Sequence, residues 1–134
     1  MYIRFVTPSR DARARAEIGL FGPAYDLRGQ YRPSDAPWQV HEIHREICWF
    51  DRHLAVPPEF TVQRARHRGQ RNGICWFRDR AGAPIGHAWY LAWLLEEMGV
   101  PVRQIRSDAP GTILWSDADQ IVALPDRDHP RLFH

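Results

Sequence analysis

The segment from Pro84 to Leu124 constrains the fold more than any other part of the chain. Apolar residues recur every three or four positions between Pro84 and Met98, so this spacing predicts a helix that begins at Pro84 and ends before Gly99. Three β-rich runs follow, VRQIR, TILW and QIVAL, and the turn-forming sequences SDAPG and SDAD separate them. This order predicts one helix followed by three strands in an antiparallel meander.

The beginning of the chain predicts one strand and one helix. YIRFV at 2–6 is rich in β-forming residues and ends at Pro8, as a first strand would. SRDARARAEIGLF is typical of a helix capped by Ser9 or Asp11. We expect Gly22-Pro23 to interrupt this helix and AYDLRG to add a last turn.

A second helix is predicted between Ser34 or Asp35, which would cap it, and Pro57-Pro58, which would end it. Its apolar stripe consists of Ile43, Ile47, Phe50 and Leu54. The sequence ICWF lies in this helix at 47–50 and recurs at 74–77, where the glycine-rich sequence before it predicts a short strand. Because one copy is helical and the other extended, the repeat does not indicate a duplicated unit.

These elements predict one α+β domain over residues 1–125, with a polar C-terminal tail at 126–134. The expected element order is β-α-α-β-α-β-β-β, with three helices on a mixed sheet of four to five strands. We expect the helix from Pro84 to connect the strands before and after it as a right-handed parallel crossover.

Composition narrows the range of functions. The longest strongly apolar run, Ala88 to Leu95, has eight residues where a bilayer requires about twenty, so no membrane span is expected. The N-terminal sequence lacks the apolar stretch of a secretory signal, and two cysteines are typical of a reducing cytoplasm. All eighteen basic residues are arginine, which excludes Schiff-base chemistry on lysine and a Walker-type phosphate loop.

Several stretches resemble a known family. ICWF before a helix, LLEEMGVPVRQIRSDAPGTILWSDADQIVALP after it, and LFGPAYDLRG and WFDRHLAVPPEF in the first half are similar to a family of small bacterial proteins described only as hypothetical. The likeness covers nearly the whole chain. It implies one compact domain of bacterial origin and carries no activity, cofactor or site residue with it.

The sequence HEIHREIC offers the sharpest chemical hypothesis, an enzyme with a histidine and cysteine site. His41, His44 and Cys48 lie at positions i, i+3 and i+7 of the second helix, and Cys75 would supply a fourth zinc ligand. The spacing is not that of a zincin, and no Cys-x-x-Cys pair is present. A second version pairs Cys75 as a thiolate nucleophile with His87. Surface histidines and packing cysteines are the favoured interpretation, so we expect neither a metal site nor a cofactor.

A basic segment at 64–80 suggests binding of an anion or a nucleic acid, because guanidinium groups bind phosphates and carboxylates in bidentate geometry. The candidate residues are Arg64, Arg66, Arg68 and Arg71. A solvated loop is the favoured interpretation, since runs of surface charge usually bind nothing specific.

Tryptophan gives the best indication of function. Trp89 and Trp93 lie one helical turn apart on a flank outside the predicted core stripe, and Trp49 points away from the stripe of the second helix. Exposed indoles are typical of protein interfaces. The favoured interpretation is therefore a small cytoplasmic bacterial domain that acts by binding a protein partner or itself as a homo-oligomer. An enzyme with the His/Cys site and an anion- or nucleic-acid-binding domain are the two alternatives.

Overall fold

A computed structural model describes residues 1–11, 16–55 and 73–125. The described residues form an α+β domain in which helices pack on one face of a six-stranded antiparallel sheet. The elements are β1 (Tyr2–Asp11), β2 (Ala16–Gly19), α1 (Phe21–Gln30), α2 (Trp38–His53), β3 (Ile74–Arg78), α3 (Gly82–Glu97), β4 (Arg103–Ser107), β5 (Thr112–Ser116) and β6 (Gln120–Leu124). The predicted α+β class and the number of helices are confirmed. The expected mixed sheet is wrong, since every pairing of the described strands is antiparallel. The predicted tail at 126–134 lies outside the described residues.

The sheet is organised around β1. Tyr2 pairs with Arg78 of β3 on one side and with Ser107 of β4 on the other, and β3 continues to β6 and then β5. Every described pairing is antiparallel, so β3 and β4 run in the same direction with β1 between them. The crossover through α3 therefore spans one intervening strand, and the expected meander is reduced to the β5–β6 hairpin because β4 pairs with β1 instead of β5.

Residues 9–11 and 16–19, expected in the first half of the first helix, lie instead in two strands, and α1 begins only at Phe21. β1 continues past Pro8 to Asp11, and the chain returns as β2, which raises the strand number above the expected four to five. Pro8 lies where the β1–β2 register shifts, between Val6 and Arg10, a position where a missing N–H is tolerated. The Thr7 hydroxyl donates to the carbonyl oxygen of Ile18 over 3.1 Å and joins the two strands. At the described residues 9–11 and 16–19, strand pairing has therefore overridden the helix that the sequence predicts.

The helices α2 and α3 lie where they were predicted, but their starts differ. Pro37, and not Ser34 or Asp35, is the N-cap of α2, which ends at His53 before Pro57-Pro58. The helix α3 begins at Gly82, two residues before Pro84. Ile43, Ile47 and Phe50 of the α2 stripe are all buried, and the chain leaves α3 through Gly99 at φ +85°. In α1 the Gly22-Pro23 pair lies in the first turn and does not interrupt the helix, because the first turn does not need the missing N–H of a proline.

The hydrophobic core lies between the helices and the sheet. Ile3 and Phe5 of β1 and Phe77 of β3 contact the buried residues of all three helices. A second buried cluster, Ile74, Trp76, Ile121 and Ala123, contains residues that alternate with the first set along the strands and so face the other side of the sheet. Within the described part of the chain, no helix is both long and apolar enough to cross a membrane.

Candidate interaction surface

Three tryptophans form an exposed surface where α3 packs beside α2. The exposed fractions are 53% for Trp38, 50% for Trp89 and 47% for Trp93. The Trp93 ring lies 6.1 Å from the ring of Trp38 and is stacked 6.0 Å from the ring of Tyr90, centroid to centroid. We call Trp38, Trp89, Tyr90 and Trp93 the aromatic surface.

Neighbouring side chains hold these rings in place. The edge of Trp89 meets Phe5 of the core at 4.9 Å, with the two ring planes at 85°. The Tyr90 hydroxyl donates to Oε1 of Glu42 over 2.8 Å, and Arg45 donates to the other oxygen of that carboxylate over 3.2 Å. The hydrogen bond to Glu42 raises the pKa of the Tyr90 hydroxyl above its usual value. Tyr90 is therefore a fixed platform for Trp93.

Trp38 is the member of the aromatic surface that sequence reasoning missed. It is the first residue of α2 and was not part of any apolar stripe. Residues later in α3 contact residues earlier in α2, so the two helices run antiparallel and the start of α2 lies beside the end of α3. The contacts are His87 with Glu46, Tyr90 with Glu42, and Trp93 with Trp38. No spacing within the sequence contains this information, because it depends on how the two helices pack.

Trp49 lies in a different environment. Its half-buried ring is stacked between His87, 3.7 Å away, and His53, 4.4 Å away, and it also meets Phe50 edge-on. The three aromatic residues that contact it belong to this stack and not to the aromatic surface. We therefore leave Trp49 out of the surface.

His87 is oriented by a buried carboxylate. Its Nδ1 lies 3.0 Å from both carboxylate oxygens of Glu46, a residue that is only 7% exposed. An imidazole held in this way has a fixed ring orientation, as in metal sites and catalytic dyads. The expected partner, Cys75, is engaged elsewhere, since its Sγ donates to Oε1 of Gln120 over 3.1 Å.

The environment of Cys75 favours the protonated thiol. The amide nitrogen of Gln120 donates to the carbonyl oxygen of Ala55 over 2.7 Å, which turns Oε1 of Gln120 toward Cys75. Desolvation raises the pKa of the Cys75 thiol to about 12. The Cys75 residue is nevertheless exposed. Its hydrogen bond to Gln120 favours the same form, because only the protonated thiol can donate it.

The other zinc candidates are spread over α2. Nε2 of His44 lies 3.7 Å from Sγ of Cys48 on an exposed flank, and His41 is exposed one turn earlier. Cys75 contributes to a separate contact on β3. Within the described ranges, no group of three or more His, Cys, Asp or Glu side chains could hold a metal ion.

The arginine candidates Arg64, Arg66, Arg68 and Arg71 lie outside the described residues. Two arginines that follow them are described. Nε of Arg78 donates to the carbonyl oxygen of Asp117 over 2.9 Å, whereas Arg80 is exposed in the turn before α3.

Comparisons do not place the chain in a known group: no family model, curated protein or solved structure matches it. The fold and the aromatic surface therefore define the class of protein by themselves. It is an α+β domain with exposed indoles on the outer flank of one helix pair.

Proposed function

We propose that this protein acts by binding another polypeptide through the aromatic surface. One observation carries the proposal: three indoles, each about half exposed, lie together on one side of the domain. A fourth tryptophan, Trp76, is only 1% exposed, so the same domain can bury an indole. Single exposed apolar residues need no explanation, but a contiguous patch of large rings is the mark of an interaction site. Tryptophan and tyrosine are also enriched among the few residues that supply most of the binding free energy in protein interfaces.

The support of the rings adds to this argument. Binding costs conformational entropy when mobile side chains are immobilised, and this cost is smaller for side chains that are already fixed. Phe5 holds Trp89 from the core side, and the hydrogen bond from Tyr90 to Glu42 holds the platform under Trp93. Both contacts exist in the single chain, so the surface is formed before a partner arrives.

The enzyme hypothesis has less support. Cys48 contacts His44, Cys75 contacts Gln120, and His87 contacts Glu46, so the candidate groups lie in three separate contacts. The hypothesis of anion binding rests on residues outside the described ranges. We also propose a cytoplasmic location and a bacterial origin; the free thiols of Cys48 and Cys75 support the location.

Photo-crosslinking tests the proposal. Trp38 is replaced with the photoreactive residue p-benzoylphenylalanine, which leaves Trp89 and Trp93 intact, and cells that produce the protein are irradiated. We expect a defined adduct, identified by mass spectrometry, that is lost when Trp89→Ala is added. The same photoreactive residue at Tyr25 of α1, which is 43% exposed, is the matched control.

The identity of the crosslinked protein, and its dependence on Trp89, decide whether the result supports the proposal. A reproducible adduct with another copy of the chain or with one other protein supports the proposal, provided that it depends on Trp89. Adducts no stronger than those from Tyr25, or adducts unaffected by Trp89→Ala, overturn it. Circular dichroism of the Trp89→Ala protein shows whether the fold survives the substitution.

A further inference from the structure

The exposed side of α3 has a regular pattern from end to end. Successive helical residues are about 100° apart, so positions three and four apart share one side of the helix. Five exposed residues follow that spacing along α3: Gly82, Gly86, Trp89, Trp93 and Glu96. We call them the exposed stripe of α3. It is small at its beginning, aromatic in its middle and acidic at its end.

The charges at the two ends of α3 are opposite to those that stabilise an isolated helix. Negative charge stabilises a helix at its N-terminus and positive charge at its C-terminus. The first turn of α3 has neither an acidic residue nor a capping side chain, and Arg80 precedes it. The last turn has no basic residue, and it contains the exposed Glu96 and Glu97.

The α3 helix of a second copy, packed in antiparallel orientation, would place an opposite charge beside each end of the first helix. A two-fold axis near Trp89 would bring Glu97 of one copy to the N-terminus of the other copy's helix, beside Arg80. Each acidic end then meets a helix terminus and a guanidinium group of opposite charge. The same axis relates the two copies by a self-complementary contact, which is the commonest kind of homodimer interface.

The exposed stripes of the two α3 helices are also complementary in shape in this orientation. The axis brings Trp93 of one copy opposite Gly86 of the other, and Trp89 opposite its own symmetry mate. A Cβ atom built on Gly82 or Gly86 would meet no other atom within 4 Å, so open space lies above both glycines. The large rings of one helix can therefore occupy the space above the small residues of the other.

We propose that the partner of the aromatic surface is a second copy of this chain, bound through an antiparallel contact between the two α3 helices. This inference rests on the proposed function and names its partner. A helix of sixteen residues is about 24 Å long. One such helix pair buries less than the roughly 800 Å² per partner of a stable complex, so we expect a dissociation constant on the order of 1–100 μM.

Charge reversal tests the orientation of the two helices. Arg80 and Glu97 lie at opposite ends of α3 within one chain, so only a second copy can bring them together. In sedimentation equilibrium we expect Arg80→Glu and Glu97→Arg each to weaken dimerisation by about tenfold. The double variant Arg80→Glu/Glu97→Arg dimerises more tightly than either single variant, because the ion pair is re-formed with reversed signs, but less tightly than the original, because the attraction to the helix terminus is not restored. Asp26→Arg on α1, where the carboxylate is exposed, is the control and leaves dimerisation unchanged.

A substitution at Gly86 tests the shape match independently of charge. Gly86→Leu places a side chain in open space on the monomer, and leucine is the better helix former, so the fold is retained. In the dimer the new side chain occupies the space proposed for Trp93, and we expect the dissociation constant to rise at least about tenfold. Gly29→Leu on α1, where the Cβ position is equally open, is the matched control and has no effect on association.

The outcomes separate this inference from the proposed function. A sedimenting mass that rises with concentration toward twice the 15.7 kDa of one chain, weakened by the single variants and partly restored by the double variant, supports the antiparallel dimer. A chain that remains monomeric up to about 500 μM overturns it. So does a double variant that dimerises no more tightly than the tighter of the two single variants. If the protein is monomeric but Trp38 still crosslinks to another polypeptide in a Trp89-dependent manner, the proposed function stands with a different partner.

Discussion

At the scale of single residues, the two cysteines show how local contacts set chemical behaviour. Cys48 is half-buried on α2 beside His44, whereas Cys75 is exposed and its thiol donates a hydrogen bond to Gln120. The thiolate is the reactive form of cysteine, so a thiol with a raised pKa reacts slowly at neutral pH. The two residues are therefore expected to differ strongly in reactivity, although both are preceded by isoleucine and followed by tryptophan in the sequence.

The first prediction concerns alkylation by iodoacetamide. Measured on the Cys48→Ser variant at pH 8, Cys75 reacts at least about tenfold more slowly than Cys48 does in the Cys75→Ser variant. The pKa of about 12 would alone give a larger difference in rate, but the exposure of Cys75 weakens the desolvation that raises this pKa and so reduces the difference. Since this pKa lies above its ordinary value of 9.0, the rate for Cys75 continues to rise between pH 9 and pH 10 without reaching a plateau. A plateau below pH 10, or equal rates for the two cysteines, would contradict the raised pKa of Cys75.

The buried carboxylate of Glu46 leads to the second prediction. Glu46→Ala removes the acceptor for Nδ1 of His87 and lowers the free energy of unfolding by about 1–3 kcal/mol. Glu46→Gln keeps an acceptor oxygen and has a smaller effect. Asp26→Ala, at an exposed position on α1, changes the free energy by less than about 0.5 kcal/mol and is the control. Urea unfolding at low protein concentration measures the free energy of unfolding of all three variants. An equal decrease for Glu46→Ala and Asp26→Ala would contradict the structural role of Glu46.

At the scale of the elements, the parts that the sequence predicts well are those with regular periods and clear ends. The α2 stripe at Ile43, Ile47 and Phe50 and the stop at Gly99 each follow from spacing and backbone preference alone. The pairing of β1 with β2 does not, because the sequence around residues 9–19 is typical of a helix, and only the contact between the two strands makes residues 9–11 and 16–19 extended. The pairing of β4 with β1 is equally invisible in the sequence, since residues 103–107 carry no information about their neighbour.

Two glycines give the third prediction, which concerns turns between elements. Gly99 and Gly111 both have positive φ, at +85° and +113°, where other residues are strained. A Cβ on Gly99 meets open space, whereas a Cβ on Gly111 collides with the backbone of Leu124 and Pro125. We expect Gly99→Ala to lower the free energy of unfolding by about 1 kcal/mol and Gly111→Ala by about 2–4 kcal/mol.

Urea unfolding curves of the two variants check this difference. Equal and small losses would mean that the β4–β5 connection can move away from β6. Equal and large losses would mean that the α3–β4 connection is more tightly packed than the open space around Gly99 indicates.

At the scale of the whole molecule, the aromatic surface depends on elements that are far apart in the chain. Sequence reasoning placed Trp89 and Trp93 outside the core stripe of α3, and both are about half exposed. It could not add Trp38, because the contact between Trp38 and Trp93 depends on the antiparallel packing of α2 and α3. It also placed Trp49 with the exposed indoles, although His87 and His53 enclose that ring on its two faces. Contacts between side chains of neighbouring helices determine how exposed each tryptophan is. The spacing of residues within one helix does not predict these contacts.

The central claim is that the aromatic surface is covered by a second copy of the chain, and fluorine NMR tests it most directly. Protein labelled with 5-fluorotryptophan gives one resonance for each of its six tryptophans, which single Trp→Phe variants assign. Between about 5 μM and 500 μM we expect the resonances of Trp38, Trp89 and Trp93 to shift together, while those of Trp49 and the buried Trp76 remain in place. If all six resonances are independent of concentration, or if only tryptophans outside the aromatic surface shift, the surface does not bind a second copy.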